Sequence, residues 1–305
     1  MSEIVGVFNI LATPFTSDGN IDIPSLRNLV LFQMDKGTHG FTILGVLGEA
    51  AKLTVEERQL VVDTVIDTVN SQVPVVVGTS HNDVRTCIDL SNNALAVGAT
   101  GVMIAPPFFA NPVHDDNQIL AFYEEVAASY SGPIVVQDFP PVNNAYMSPQ
   151  FLAKIADNIP NARHLKLEDP PLLEKISAIL ALTDKYLIFG GLGGMFFLEE
   201  LYRGAAGTMT GFAFTEILVA IYNAIQHGNL EEATRIFDHY LPLIRFENQP
   251  VINLSIRKEL LRTRGAIAQS TLREPFAPID EKTYEEMIWM LQRVGINDPT
   301  QRVDV

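Results

Sequence analysis

Lys166 lies in the run His164-Leu165-Lys166-Leu167-Glu168, in which polar and apolar residues alternate. A β-strand sends successive side chains to opposite faces, so His164, Lys166 and Glu168 share one face and the two leucines the other. An ammonium group held inside a fold loses hydration, which favours the free amine, and a free amine can attack a carbonyl carbon to form a Schiff base. Glu168, two residues along the same face, is placed to exchange protons with such an adduct. The same spacing also suits a structural ion pair between Lys166 and Glu168, and alternation alone does not separate the two. The remaining seven lysines (36, 52, 154, 175, 185, 258 and 282) fall on helix-like segments or at their ends.

Other groups support smaller roles. His81, after the third apolar run, is a candidate for substrate contact or proton transfer, or for a hydrogen bond within its own loop. Gly190, Gly191, Gly193 and Gly194 allow backbone to approach a ligand, Gly191 being the binding candidate, or serve turn geometry alone. Glu49 is suited to holding its loop by accepting backbone hydrogen bonds. Asp115 and Asp116, beside His114, fall where a helix begins and complement its exposed N–H groups rather than a metal. Cys87 is the one cysteine, which excludes a disulfide or thiolate cluster within the chain. No His-Glu-x-x-His or P-loop spacing occurs, and no metal is expected.

These residues need a scaffold that presents a strand-borne lysine at a strand end. Short apolar or β-branched runs begin near Val5, Phe41, Pro74, Gly101, Pro133, Arg163, Tyr186 and Gly207, with helical periodicity between most of them. Thr54 and Glu57 form a capping box before one helix, Ser148-Pro149 opens another, and Gly37 ends the helix predicted over 24–36. Eight alternating β and α units imply a parallel sheet, and their length suits a closed (β/α)8 TIM barrel. An open doubly wound sheet is the rival, but the G-x-G-x-x-G spacing of a nucleotide crossover fails at Phe196. We expect the barrel over residues 1–225 and a packed helical extension over 226–305, with helices at 230–245, 250–264 and 281–294 and a proline-containing connection at 274–280. In that barrel Lys166 and Glu168 point inward near the C-terminal strand ends, where such folds place their chemistry.

Composition limits the partners. The chain of 305 residues carries 21 Lys and Arg against 36 Asp and Glu, a net charge of -15, and no basic block for a phosphate backbone. Nucleic acid is therefore an unexpected partner. No apolar run is long enough to span a bilayer and no export signal opens the chain, so neither a membrane nor secretion is expected and the cytoplasm is the expected location.

Gly45-Val46-Leu47-Gly48-Glu49 after the second strand, Asp138-Phe139-Pro140 after the fifth and Lys166 on the sixth together resemble the dihydrodipicolinate synthase / N-acetylneuraminate lyase family over essentially the whole chain. The resemblance implies a class I lyase on an eightfold barrel that binds a small 2-oxo acid through Lys166, needs no metal or organic cofactor, and assembles as a homo-oligomer, a tetramer or a dimer. Departures from the family pattern narrow the reading. Val46 and Leu47 stand where most members have two threonines, Gln137 where most have a proton-shuttling tyrosine, and Val142 where dihydrodipicolinate synthases have an arginine for the second substrate. Their paired aromatic hydroxyls fall in Pro107, Phe108 and Phe109.

Val136-Gln137-Asp138-x-Pro140, Thr79-Ser80-His81, Lys166-x-Glu168, Gly207-x-Met209-Thr210-Gly211 and Pro242-Leu243-Ile244-x-x-Glu247-Asn248 resemble the L-2-keto-3-deoxyarabonate dehydratase branch. This implies catalytic roles for Lys166, Glu168 and Gln137. It implies substrate contacts for Val46, Leu47, Gly48, His81, Asp138, Gly191, Met209 and Thr210. An aldolase or a dihydrodipicolinate synthase of the same family, and a 2-oxo acid binding protein without turnover, are the alternatives.

Overall fold

The computed structural model describes residues 3–112, 116–303 and 305. Eight strands, β1 (Gly6–Ile10), β2 (Gly40–Ile43), β3 (Val75–Gly78), β4 (Gly101–Ile104), β5 (Ile134–Asp138), β6 (His164–Leu167), β7 (Leu187–Gly190) and β8 (Gly207–Thr210), close in order into a parallel barrel, β8 pairing with β1. Each strand starts within one residue of the position read from sequence.

Between the strands run α1 (Ile23–Asp35), α2 (Val55–Val69), α3 (Val84–Ala96), α4 (Asp116–Ser129), the short α5 (Pro140–Asn143), α6 (Pro149–Asn158), α7 (Leu172–Leu180) and α8 (Phe197–Tyr202). After the barrel come α9 (Thr215–Gln226), α10 (Leu230–Glu247), α11 (Asn253–Thr263) and α12 (Glu281–Arg293). Helix starts follow their caps. Thr54 accepts from Glu57 N while the Glu57 carboxylate accepts from Thr54 N, and Ser148 accepts from Phe151 N. His114 and Asp115 lie outside the described residues, and Asp116 opens α4.

Two apolar clusters divide along the strand alternation. Phe8, Val76, Met103, Val135, Phe189 and Met209 fill the barrel interior. Alternate residues such as Val7, Val77, Val136, Leu165 and Leu167 join the layer between strands and helices. His164 faces inward low in the barrel against Phe189, and burial pushes its pKa down to about 4.

Three expectations are corrected. The helix read over 250–264 begins at Asn253, because Val251 has φ of 74°, a left-handed conformation that a β-branched residue takes only under constraint. The connection before α12 is longer than 274–280. No regular element is assigned from Arg264 to Asp280, and that stretch crosses the barrel mouth. Lys185 lies in the loop before β7, where it pairs with Asp157.

Candidate active site

Lys166 stands in register with Gln137 on β5 and Phe189 on β7. All three side chains point into the barrel, and Lys166 is 4% exposed. Its Nζ lies 2.9 Å from Glu168 Oε2. The same carboxylate oxygen accepts from Gln137 Nε2 at 3.3 Å, and Oε1 accepts from Leu192 N at 3.4 Å. The ion pair read from sequence as one alternative is therefore present, and it sits in a cavity that a small ligand can enter.

This inner cavity, of about 120 Å³, is bounded by Ile10, Val46, Leu47, Gln137, Phe139, Lys166, Glu168, Met209 and Thr210, by Leu192 and Gly193 after β7, and by Asn248 and Asn253. Through Val46, Leu47, Gln137 and Asn253 it adjoins an outer cavity of about 650 Å³ at the barrel mouth. Lys166 and Glu168 are the titratable side chains among the described residues of the inner wall.

The loop after β7 owes its shape to glycines. A Cβ on Gly191 would lie 2.4 Å from Glu168 Oε1, so the absent side chain is the space that the carboxylate occupies. One residue earlier, a Cβ on Gly190 would overlap the Glu200 carboxyl on the opposite side of the strand. Glu200 is fully buried, and burial pushes its pKa well above the ordinary carboxylate range.

Several expected site residues lie elsewhere. Asp138, expected to touch substrate, is fully buried on the outer face of β5 and pairs with Lys175 on α7 at 2.5 Å. Strand alternation explains the correction, since Gln137 points inward and its neighbour must point out. Gly48 lines neither cavity; its N–H donates to Gly45 O and its carbonyl accepts from Thr13 Oγ1. His81 lies exposed on the outer cavity, and its Nδ1 accepts from Asp83 N, so it is separated from Lys166 and held within its own loop. Gly191 contributes room for Glu168 rather than cavity wall.

The structure adds residues that site reasoning missed. Asn248, just after α10, donates to Leu192 O at 2.8 Å and packs against Gly193, and Asn253 at the start of α11 lines both cavities. Glu247-Asn248 was visible as a motif, but nothing local indicated that the end of a distant helix returns to β7. Glu49 binds more than its loop. It accepts from Lys258 at 2.6 Å, Lys52 at 3.0 Å and Arg273 N at 3.1 Å, tying the β2 loop to the C-terminal segment. Burial lowers the Lys258 pKa to about 8 although Glu49 opposes the shift.

A model of the dihydrodipicolinate synthetase family matches residues 3–294. The chain belongs to this family. L-2-keto-3-deoxyarabonate dehydratase of Azospirillum brasilense is 31% identical over 292 residues, covering 95% of this chain and 94% of the relative. A 4-hydroxy-tetrahydrodipicolinate synthase of Methanospirillum hungatei JF-1 is 30% identical over 297 residues, with 94% and 98% covered. Among solved structures, dihydrodipicolinate synthase of Rhodopseudomonas palustris superimposes with a TM-score of 0.88 at 35% identity, covering 95% of this chain and 97% of that one. Within this dihydrodipicolinate synthetase family member, Gln137 and Glu168 form the polar wall beside Lys166, and Val142 lies on the outer cavity.

Proposed function

We propose that the protein is a Schiff-base lyase for a small 2-oxo acid and that its reaction is the dehydration of a 2-keto-3-deoxy sugar acid. The carrying observation is the buried Lys166 amine, paired with one carboxylate, in a cavity small enough to enclose a carbonyl and its immediate substituents. Glu168 takes a proton from the ammonium group. Lys166 attacks C2, the carbonyl oxygen takes one proton from the amine and the proton returned by Glu168 and leaves as water, and a protonated imine forms with Glu168 again a carboxylate. The imine acidifies C3, whose proton passes to Glu168. The electron pair of the resulting enamine expels the C4 hydroxyl, which departs as water with a proton returned by Glu168. Hydrolysis of the conjugated imine frees Lys166 and an unsaturated 2-oxo acid.

The backbone N–H groups of Val46 and Leu47 open a tight turn at the cavity wall and suit the substrate carboxylate. Gln137 orients the departing hydroxyl or water, since an amide exchanges no proton at neutral pH. Val142 on the outer cavity, in place of a cation for a second carboxylate, favours this one-substrate reaction over a 4-hydroxy-tetrahydrodipicolinate synthase activity. No metal or organic cofactor has a part in the proposed route. We also propose that copies associate as a dimer or tetramer, supported by the exposed apolar residues Val46, Phe108, Val142, Val251 and Phe276 around the outer cavity.

The test is borohydride trapping with pyruvate and a panel of 2-keto-3-deoxy sugar acids, read by peptide mass spectrometry on wild type and Lys166→Ala. The expected result is a ligand-dependent adduct on the Lys166 peptide, absent from the variant, and a product that keeps its carbon skeleton. Pyruvate release from a sugar acid makes the enzyme an aldolase; an adduct with no turnover makes it a binding protein; no adduct on folded wild type ends the Schiff-base reading.

A further inference from the structure

Behind the candidate site, on the other side of the barrel wall, lies a second buried lysine. Lys175, in the first turn of α7 and 6% exposed, places Nζ 2.5 Å from Asp138 Oδ2 and 2.8 Å from Asp169 Oδ2. Asp138 immediately follows Gln137, and Asp169 immediately follows Glu168. The two adjacent strand ends thus carry the same arrangement, a side chain turned into the cavity followed by a carboxylate turned away from it. Inside, Gln137 donates to Glu168; outside, one ammonium holds both carboxylates; between them, Glu168 N donates to Asp138 O at 2.9 Å. The spacing between the tips of β5 and β6 is fixed from both sides of the wall.

We propose that Lys175 is a positioning residue that holds Gln137 and Glu168 in the geometry needed for proton transfer at C3, without touching substrate. The proposal rests on the Schiff-base reading above and goes beyond it by separating two steps. Imine formation needs the Lys166 amine and its proton exchange with Glu168, a 2.9 Å contact between residues two apart at the end of β6 that does not involve β5. Proton transfer needs Glu168 held to within about 0.5 Å of its productive position relative to the C3 proton, and that depends on the strand tips.

The arrangement also responds to pH. Burial raises Asp138 to about 6, opposed by Lys175, with Asp169 and Glu168 pushing in the same direction as burial. The other titratable groups facing it are the Tyr123 and Tyr186 hydroxyls from α4 and from the segment before β7, which burial keeps neutral. A carboxyl with a raised pKa is ionised only above that value, so one arm of the outer clamp loses its charge as pH falls through about 6.

The experiment separates the steps in the full-length protein with pyruvate as probe. Borohydride trapping reads imine formation, and NMR of hydrogen–deuterium exchange at the pyruvate methyl reads proton transfer through the enamine. Lys175→Met is expected to trap the adduct as wild type does while exchange falls about 10- to 100-fold. Lys175→Arg, which can bridge both carboxylates, is expected to restore most of the exchange. Asp138→Asn, nearly isosteric and a safeguard should Lys175→Met not fold, is expected to exchange more slowly and to lack the inflection near pH 6 expected of wild type. Undiminished exchange in Lys175→Met, or in Asp138→Asn if only that variant folds, overturns the positioning role alone. Absence of an adduct in wild type overturns the Schiff-base reading and this proposal with it.

Discussion

Glu168 and Glu200 press on consecutive glycines from opposite sides of β7, and their surroundings differ. Glu168 has the Lys166 ammonium and two N–H donors. Glu200 is fully buried, with neither carboxyl oxygen given a hydrogen-bond partner among the described residues, and its pKa is pushed well up by burial. A carboxyl whose folded pKa is raised stabilises the fold relative to an ionisable chain below the unfolded value, and that contribution is lost as pH rises toward the folded pKa. Glu200→Gln removes the titration while keeping the shape. The variant is expected to match wild type in urea stability near pH 4 and to exceed it at pH 8, the gap widening by up to ~1.4 kcal/mol per pH unit. An equal gap at both pH values would mean that Glu200 is ionised in the fold. The inner cavity was legible from the alternation around Lys166, because period two is a local property. Asp138 was misplaced because its role came from the resemblance, which transfers a position, whereas the same period two decides which way the side chain points.

At the scale of elements, the start of α2 joins the site to the rest of the chain. Glu57 closes the capping box with Thr54 and is also bound by both terminal nitrogens of Arg273. The Arg273 hydrogen bond holds its pKa down to about 2. Thr54→Ala removes one cap hydrogen bond and is expected to cost about 1 kcal/mol in urea unfolding at pH 7. Glu57→Ala removes the reciprocal cap and the Arg273 partner together and is expected to cost more. With a depressed carboxylate pKa, the Glu57 contribution is present above about 4.5 and lost as pH falls toward 2, so the difference between wild type and Glu57→Ala should shrink across that acid window. The capping box was plain in four residues of sequence, and eight strand starts followed from hydrophobic runs and turn residues. The Arg273 half of the same junction was invisible, because its segment has no periodicity and its partner lies more than two hundred positions earlier.

For the whole molecule, four exposed apolar side chains besides Val46 at one mouth, Phe108, Val142, Val251 and Phe276, are too clustered to be scattered surface residues. Light scattering is expected to give a mass that is a multiple of the 33.6 kDa chain, reduced toward one chain in Phe108→Asp/Val251→Asp. A single-chain mass for wild type at micromolar concentration would refute the assembly. The helices after the barrel were readable as helices, but not as parts of the site. Asn248, Asn253 and the Lys258 partner of Glu49 come from segments whose return to the barrel mouth is set by long-range packing.

That return orders events during synthesis. By the time β8 leaves the ribosome, the strand carrying Lys166 and both of its barrel neighbours have already emerged, yet Asn248, Asn253 and Lys258 are still to be added. Until they arrive, the β7 loop lacks its Asn248 anchor and Glu49 lacks its Lys258 partner. A nascent chain therefore carries its amine before it has a finished chamber, and the walls around Lys166 are completed last.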